Sequence, residues 1–348
     1  MSNILVTGGA GYIGSHTCLA LAQSGHTPVA FDNLGNGHRE FVQWGPFEQG
    51  DIRDRDRLDE VLLAYRPAAI IHFAGLIEVP ESIANPVAFF DNNVSGSVSL
   101  LAAALGAGVD KIVFSSTAAT YGIPRQIPIP ETHPQVPINP YGTSKLLVER
   151  ILSDLGAYKN LRSVVLRYFN AAGADLEGRI GEWHDPESHV IPIAIQVALG
   201  QRASFKINGS DYPTHDGTCI RDYIHVSDLA EAHVRSIDYL LSGGESVALN
   251  VGSGRGTSIK ELVAVIEAIA ERRLPIEFVT RREGDPAELI ADIRQAVSRL
   301  DWKPRHDLNS IVGSAWNWHR GLARVAASGE QVRSSSTSSY ADDIGTLS

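Results

Sequence analysis

Apolar residues run along the first half of the chain in two rhythms that take turns. Short continuous runs, Ile4-Leu5-Val6, Val29-Ala30-Phe31, Ile70-Ile71 and Ile112-Val113-Phe114, are bounded by polar or turn residues, the pattern of strands buried on both faces. Between them apolar residues recur at helical spacing, as in Ile13, Cys18, Leu19 and Leu21, or Val94, Val98, Leu101 and Leu105. The pattern predicts strands over 3–7, 28–31, 69–73, 111–115 and 163–166, and helices after Gly14, over 54–65, over 92–105 and from Asn139 onward. Strands that alternate with helices predict an α/β fold built on a doubly wound parallel sheet.

After Asn170 the rhythm breaks. Gly, Pro, His and Asp crowd residues 173–192, as in a loop-rich insertion. Shorter elements follow: a helix over 193–199, strands over 204–207 and 219–225, and a helix over 228–241. A capping box, Ser258-Ile259-Lys260-Glu261, opens another helix. A last helix over 311–323 carries Trp316 and Trp318. No internal repeat is visible. The expected division is a sheet-based domain over 1–172 and a smaller, loop-rich α/β domain over 173–326, some of whose segments return to the sheet. Residues 327–348 are rich in Ser and poor in apolar residues, and a disordered tail is expected there.

Chemistry collects where the predicted strands end. The first strand runs into Gly8-Gly9-Ala10-Gly11-Tyr12-Ile13-Gly14, a helix follows, and Asp32 ends the next strand. Glycine triplets are often mere tight turns. Set between a strand and a helix, with an acid one strand later, they predict a dinucleotide site of the Rossmann type. Gly8, Gly11 and Gly14 let the backbone approach a pyrophosphate, and Asp32 accepts from ribose hydroxyls and repels a 2′-phosphate, which selects NAD. Asp51, Phe73-Ala74-Gly75, Ser115-Ser116-Thr117 and Phe169-Asn170 also follow strands, where ligands gather in such sheets. Each taken singly reads equally well as a loop or cap residue.

Asn139 and Pro140 open a helix in which Tyr141 and Lys145 stand one turn apart on one face. A nearby ammonium and the positive end of the helix both favour a phenolate over a phenol, so the pair is a candidate base. The alternative is a half-buried surface tyrosine beside a solvated lysine.

Composition then narrows the partners. A net charge of −10 on 348 residues argues against nucleic acid and anionic membranes. Cys18 and Cys219 are the only cysteines, without metal-type spacing, so no metal is expected and a reducing cytoplasm is. No leader or spanning segment is read in the sequence.

Several motifs occur in an order that resembles the extended short-chain dehydrogenase/reductases: GGAGYIG at 8–14, HFAG at 72–75, FSSTAATYG at 114–122, PYGTSK at 140–145 and RYFNAAGA at 167–174. DYPTHDGT at 211–218, IRDYIHVSDLA at 220–230 and RREGDPAELIAD at 281–292 narrow the resemblance to the UDP-glucose 4-epimerase family, over about residues 1–320. The resemblance implies NAD-mediated oxidation and re-reduction at sugar C4, interconverting UDP-galactose and UDP-glucose, in a homodimer. It implies that Tyr141, Lys145 and Thr117 are catalytic, Thr117 standing where many members have serine. Gly8, Gly11, Tyr12, Ile13 and Gly14 would hold the NAD pyrophosphate, Asp32, Asn33 and the loop to Gly37 the adenosine ribose, and Asp51 with Ile52 the adenine. Phe73, Ala74, Gly75, Asn92 and Phe169 would line the nicotinamide half, next to Thr117, Tyr141 and Lys145. The UDP-sugar would meet Thr117, Tyr141, Asn170, His189, Val190, Lys206, Ile207, Asn208, Arg221, Arg282, Asp285 and Leu289. Arg221 and Arg282 suit diphosphate oxygens; without the resemblance they read as surface partners of Asp222 and Glu283. One departure stands out: close after the Phe-Ala-Gly-Leu run, where many members carry a lysine near the cofactor, this chain has Ile77 and then Glu78.

Overall fold

Side chains that alternate along the strands give the sheet two apolar faces, and both are covered. A computed structural model describes residues 1–328 apart from Glu283. In chain order the strands are β1 (Asn3–Thr7), β2 (Thr27–Asp32), β3 (Phe47–Gln49), β4 (Ala69–His72), β5 (Lys111–Thr117), β6 (Arg162–Tyr168) and β7 (Asn170–Ala172). There follow β8 (Phe205–Asn208), β9 (Ile220–His225), β10 (Val247–Val251), β11 (Gly256–Ser258), β12 (Ile276–Val279) and β13 (Glu288–Leu289). The helices are α1 (Tyr12–Gln23), α2 (Arg55–Tyr65), α3 (Val79–Ala84), α4 (Pro86–Phe89), α5 (Gly96–Gly106) and α6 (Pro140–Lys159). Then come α7 (Val190–Ala198), α8 (Val226–Leu241), α9 (Ile259–Ala270), α10 (Arg294–Leu300) and α11 (Leu308–Ser328).

Seven strands form one sheet in the order β10-β6-β5-β4-β1-β2-β3, parallel at every pairing. Ile4 and Val6 face one core with Ile71, Val113 and Leu166, closed by residues of α1 and α8. Leu5, between them, faces the other core with Phe31, Ile70, Ile112 and Phe114, closed by α2, α5 and α6. This is the predicted doubly wound sheet. Its order reverses between β1 and β4, so the crevice at their carboxyl ends is the expected ligand position. A third apolar cluster gathers α7, α9 and α11 around Phe205, Ile207 and Tyr223. There β9 is flanked by β7, β11 and β13, while β8 pairs with β12.

Local chemistry explains the element ends. Asp54 caps α2 through the Arg57 N–H, Asn139 caps α6 through the Gly142 N–H, and the Ser258–Glu261 capping box forms in full. The predicted strand over 69–73 stops at His72, although the Phe73 N–H still donates to the Thr7 carbonyl at 2.9 Å. The helix predicted from residue 92 begins earlier, as a π-helical turn over Phe90–Ser95. Neither β3 nor β10, which widen the sheet to seven strands, is foreseen by the apolar rhythm. Helix α11 continues through Ser328, and the rest of the expected tail lies outside the described residues. No helix among the described residues is long and apolar enough to cross a membrane.

Candidate active site

The glycine turn sits at the point where the strand order reverses, and its shape leaves no room for side chains. Gly8 has φ +75°, and a Cβ there would lie 2.7 Å from the Ala74 nitrogen. A Cβ on Gly14 would lie 2.0 Å from the Gly8 carbonyl oxygen, so α1 starts directly against the turn. Its N-cap is Gly11, which offers no side-chain cap. Helix N–H groups are therefore left for an anion. Asp32 is buried and accepts from the Ala10 N–H at 3.0 Å and the Leu34 N–H at 2.8 Å, which aims its carboxylate into the turn. Burial raises its pKa, partly offset by those two N–H groups. A Cβ on Gly37 would meet Asp32 Oδ1 at 2.9 Å, so that glycine keeps the approach open. Asn33 donates to Asp51 at 3.0 Å, and Arg53 grips the same carboxylate at 2.8 Å and Asp91 at 2.8 Å. Ile52 turns into the core against Gly96.

At the end of β5 the Thr117 hydroxyl stands beside the Tyr141 phenol, where it favours loss of the phenol proton, and accepts from the Ala119 N–H at 3.1 Å. Lys145 is buried, donates to the Ser115 carbonyl at 3.0 Å, and lies 6.0 Å from the centre of the Tyr141 ring. A Cβ on Gly75 would come 3.3 Å from its Nζ. Contrary to the expectation from the helix start and the nearby ammonium, these side chains favour the phenol over the phenolate. Burial pushes the Tyr141 phenol up to about 12, the Thr117 hydrogen bond opposes this, and Glu78 adds to the rise. Burial also pushes Lys145 down to about 8. The ammonium is committed to a main-chain oxygen and does not by itself offset the desolvation of the phenol.

Sequence reasoning missed the supports of this pair. Asn93 is buried in the π-helical turn, where it donates to the Leu76 carbonyl and to Ser144 Oγ, each at 3.0 Å, and accepts from the Leu76 N–H at 2.8 Å. It thereby fixes the segment after Gly75 to α6, whereas Asn92 only donates to Asn93, at 3.0 Å. His72 bridges Thr7 at 2.7 Å and Ser97 at 2.8 Å, and burial then Lys145 push it down to about 3. Tyr168 and Ser115 share a short hydrogen bond beneath Tyr141.

The second wall comes from the later chain. Leu289 packs with Phe169 on the cluster of Ala118, Tyr121 and Ile129, next to Thr117. Leu289 pairs in register with Arg221. Arg221 binds Asp285 at 2.5 Å, and Asp285 also accepts from Tyr212 at 3.3 Å. The alternative partner Asp222 is instead fully buried, holding the loop through the N–H groups of Ser253, Gly254 and Ala291. Asn170 donates to the Asp222 carbonyl at 2.9 Å. On β8, Lys206 is exposed, Ile207 faces the core and Asn208 is half-buried; Arg282 is exposed.

Residues 182–189 cross between the two walls. Tyr12 donates to the Gly173 carbonyl at 2.6 Å just upstream, and His38 stacks on Trp183 at 4.3 Å. Ser188 donates to Glu78 at 2.9 Å, and Val190 opens α7. The imidazole of His189 turns to Glu182 and Glu187, at 3.0 and 3.3 Å. Burial opposes its charge, yet Glu182 and then Glu187 push it up to about 11.

A sequence model of the NAD dependent epimerase/dehydratase family matches residues 4–252. The chain belongs to that family. It is 63% identical over 316 residues to the UDP-glucose 4-epimerase of Rhizobium leguminosarum bv. trifolii, covering 91% of this chain and 97% of that one. Among solved structures it resembles UDP-glucose 4-epimerase from Brucella ovis in complex with NAD, at TM-score 0.90 and 47% identity over 91% of this chain and 98% of that one. It also resembles UDP-glucose-4-epimerase from Stenotrophomonas maltophila with bound NAD and formylated UDP-arabinopyranose, at TM-score 0.91 and 43% identity, covering 93% and 100%. The glycine cradle of this chain fits the family's dinucleotide: added Cβ atoms would fill it, and the uncapped start of α1 faces it.

Proposed function

We propose that this chain interconverts UDP-galactose and UDP-glucose by oxidising and re-reducing sugar C4 with a tightly held NAD. The observation that carries the reading is the Thr117–Tyr141 hydroxyl pair at the end of β5, beside Lys145 and the glycine turn, with Leu289 closing the other side. When bound, NAD supplies a hydride acceptor and a positively charged ring. Lys145, together with such a charge, would favour loss of the Tyr141 proton, which the side chains alone do not achieve.

Tyr141 takes the proton of the 4-hydroxyl, and Thr117 bridges that oxygen to the phenol. Lys145, fixed on Ser115, holds its charge beneath the ring. The turn of Gly8, Gly11, Tyr12, Ile13 and Gly14 holds pyrophosphate, Asp32, Asn33 and Gly37 the ribose, and Asp51 with the Ile52 backbone the adenine end. Phe73, Ala74, Gly75, Asn92 and Phe169 line the nicotinamide side. Arg221 pairs the diphosphate by exchanging part of its contact with Asp285, helped by Arg282. Asn170, the backbone of His189-Val190 and residues 206–208 grip the rest of the nucleotide, and Leu289 faces the sugar. The 4-keto sugar turns over while its nucleotide stays held, and the proton returns from Tyr141.

Ala118 and Ala119 cannot move protons, which disfavours loss of water from the same ketone. Retention of Tyr141, Lys145 and Thr117 disfavours a non-catalytic NAD-binding regulator. The sheet-based residues 1–172 act as the NAD-binding unit and 173–326 mainly as the sugar-nucleotide unit. Val98 on α5 and Leu147 on α6 are 46% and 39% exposed, which supports a homodimer through these helices; sedimentation of the purified protein checks the dimer. Two free cysteines, Cys18 and Cys219, support a reducing cytoplasm. Supplying UDP-galactose tests the function: UDP-glucose should form without NADH accumulating. Stoichiometric NADH, or a product lighter by one water, would overturn it.

A further inference from the structure

Residues 182–189 read Glu-Trp-His-Asp-Pro-Glu-Ser-His. Glu182, His184, Glu187 and His189 bring one donor atom each to within 4.8 Å of one another. The carboxylates are almost fully enclosed, with side chains 5% and 2% exposed. His184 Nδ1 lies 3.6 Å from Glu182 Oε1 and 3.7 Å from Glu187 Oε2. His189 Nδ1 lies 3.0 Å from Glu182 and 3.3 Å from Glu187. Both Nδ1 atoms are buried, yet neither makes a hydrogen bond.

We propose that these four side chains bind one divalent metal ion, Zn²⁺ by its donor set, as a structural clasp. Four ligands at Zn–N and Zn–O distances of about 2.1 Å around a tetrahedral centre stand about 3.4 Å apart. The distances from the two nitrogens to Glu182 Oε1, 3.6 and 3.0 Å, bracket that spacing, and Glu187 meets His184 through Oε2 and His189 through Oε1. An ordinary ion pair would aim an imidazole N–H at a carboxylate oxygen. Here the nitrogens face the oxygens without that direction, as donors converging on a shared centre do. Two carboxylates and two neutral imidazoles also balance a divalent charge. Four protein ligands fill a tetrahedral site, so the ion is closed to substrate and its role is to hold shape.

The backbone around the ligands is already tied down. Trp318 donates to the Glu182 carbonyl at 2.9 Å, His38 to the Trp183 carbonyl at 2.9 Å, and Arg202 to the Glu187 carbonyl at 3.2 Å. Ser188 and His189 N–H groups fix Glu187 Oε1 at 2.9 and 2.8 Å. A metal would lock this segment between the Tyr12 turn and the start of α7. No cysteine takes part, which is why a reading based on cysteine spacing passes over it.

The test does not depend on the epimerase reading. An untagged chain, stripped with chelator and dialysed, is titrated with CoCl₂ and then ZnCl₂. The expected result is one Co²⁺ per chain with the intense visible absorption of a tetrahedral ion, displaced by Zn²⁺, and a thermal midpoint raised by either metal. Glu182→Gln and His184→Ala should each abolish the tetrahedral signal while keeping the far-ultraviolet dichroism of the wild type; His215→Ala, outside the group, should keep both. Metal uptake equal in wild type and variants, or a pale six-coordinate Co²⁺ spectrum, would overturn the proposal. If both variants fail to fold, the wild-type stoichiometry and spectrum alone decide it.

Discussion

The cofactor wall of the cleft and the segment that crosses from it to the other wall are held by different means. The cofactor wall takes its geometry from a parallel sheet whose registers place Gly8, Phe73 and Thr117 at neighbouring strand ends. Burial works against charge on both of its reactive groups, with Tyr141 raised and Lys145 lowered. The segment 182–189 has no strand or helix and gathers four ionisable side chains instead. Periodic packing fixes the cofactor wall; charge or a metal fixes the segment that crosses from it to the other wall. Damage to the first should therefore strike chemistry and cofactor, and damage to the second should strike grip and stability.

The largest effect is expected from Tyr141→Phe, which keeps the ring but removes the proton acceptor. Turnover should fall by about 10²-fold or more, the usual scale for a positioned acid–base group. NAD should remain bound, as measured after denaturing the purified variant. Near-normal turnover would place the base elsewhere and erase that contrast.

Next is Gly14→Val. Its Cβ would lie 2.0 Å from the Gly8 carbonyl, so turn and helix must separate. The variant should be purified without NAD; full retention would show that the pyrophosphate sits elsewhere.

The pH profile sharpens the same point. Tyr141 acts as a base only when deprotonated, and burial holds its proton to about 12. Below the apparent pKa of the NAD-loaded protein free of sugar, kcat/KM should rise about tenfold per pH unit. Lys145, lowered to about 8, loses its charge as pH rises, so the climb should slacken above that value. Lys145→Met should displace the climb to higher pH. A wild-type profile flat between about pH 6 and 10 would refute the assignment.

The sequence made the cofactor wall legible because buried parallel strands and the glycine turn announce themselves over neighbouring residues. Asp32, Thr117 and Tyr141 each stand at an element end that the apolar rhythm marks, and Lys145 follows one turn into its helix. The rest depends on partners far along the chain. Val247–Val251 reads as an ordinary short apolar run, and only its pairing with β6 makes it the sheet edge. Asn93 gains its role because a π-helical turn rotates it toward Leu76 and Ser144. The ion partner of Arg221 lies 64 residues away in Asp285 rather than next door in Asp222. The spacing Glu-x-His-x-x-Glu-x-His was in plain view at 182–189, but nothing local says that such a stretch folds back on itself.

The smallest effect is expected at the seam between the walls. Leu289 packs beside Phe169 and Ala118, and offers an acetamido group no hydrogen bond. UDP-N-acetylglucosamine should therefore be a weak substrate. Leu289→Ser should raise its kcat/KM relative to UDP-glucose by several-fold, on the order of one hydrogen bond, and Leu289→Tyr should abolish it. An unchanged ratio would remove Leu289 from the sugar site.

The central claim is that hydride leaves C4 and returns to the same carbon, with Tyr141 moving only the proton. UDP-galactose carrying deuterium at C4, incubated with the NAD-loaded protein in ordinary water, tests it directly. The account predicts UDP-glucose that keeps its deuterium at C4, with none in the solvent or in free NADH. Loss of the label to water, or its appearance in released cofactor, would contradict it.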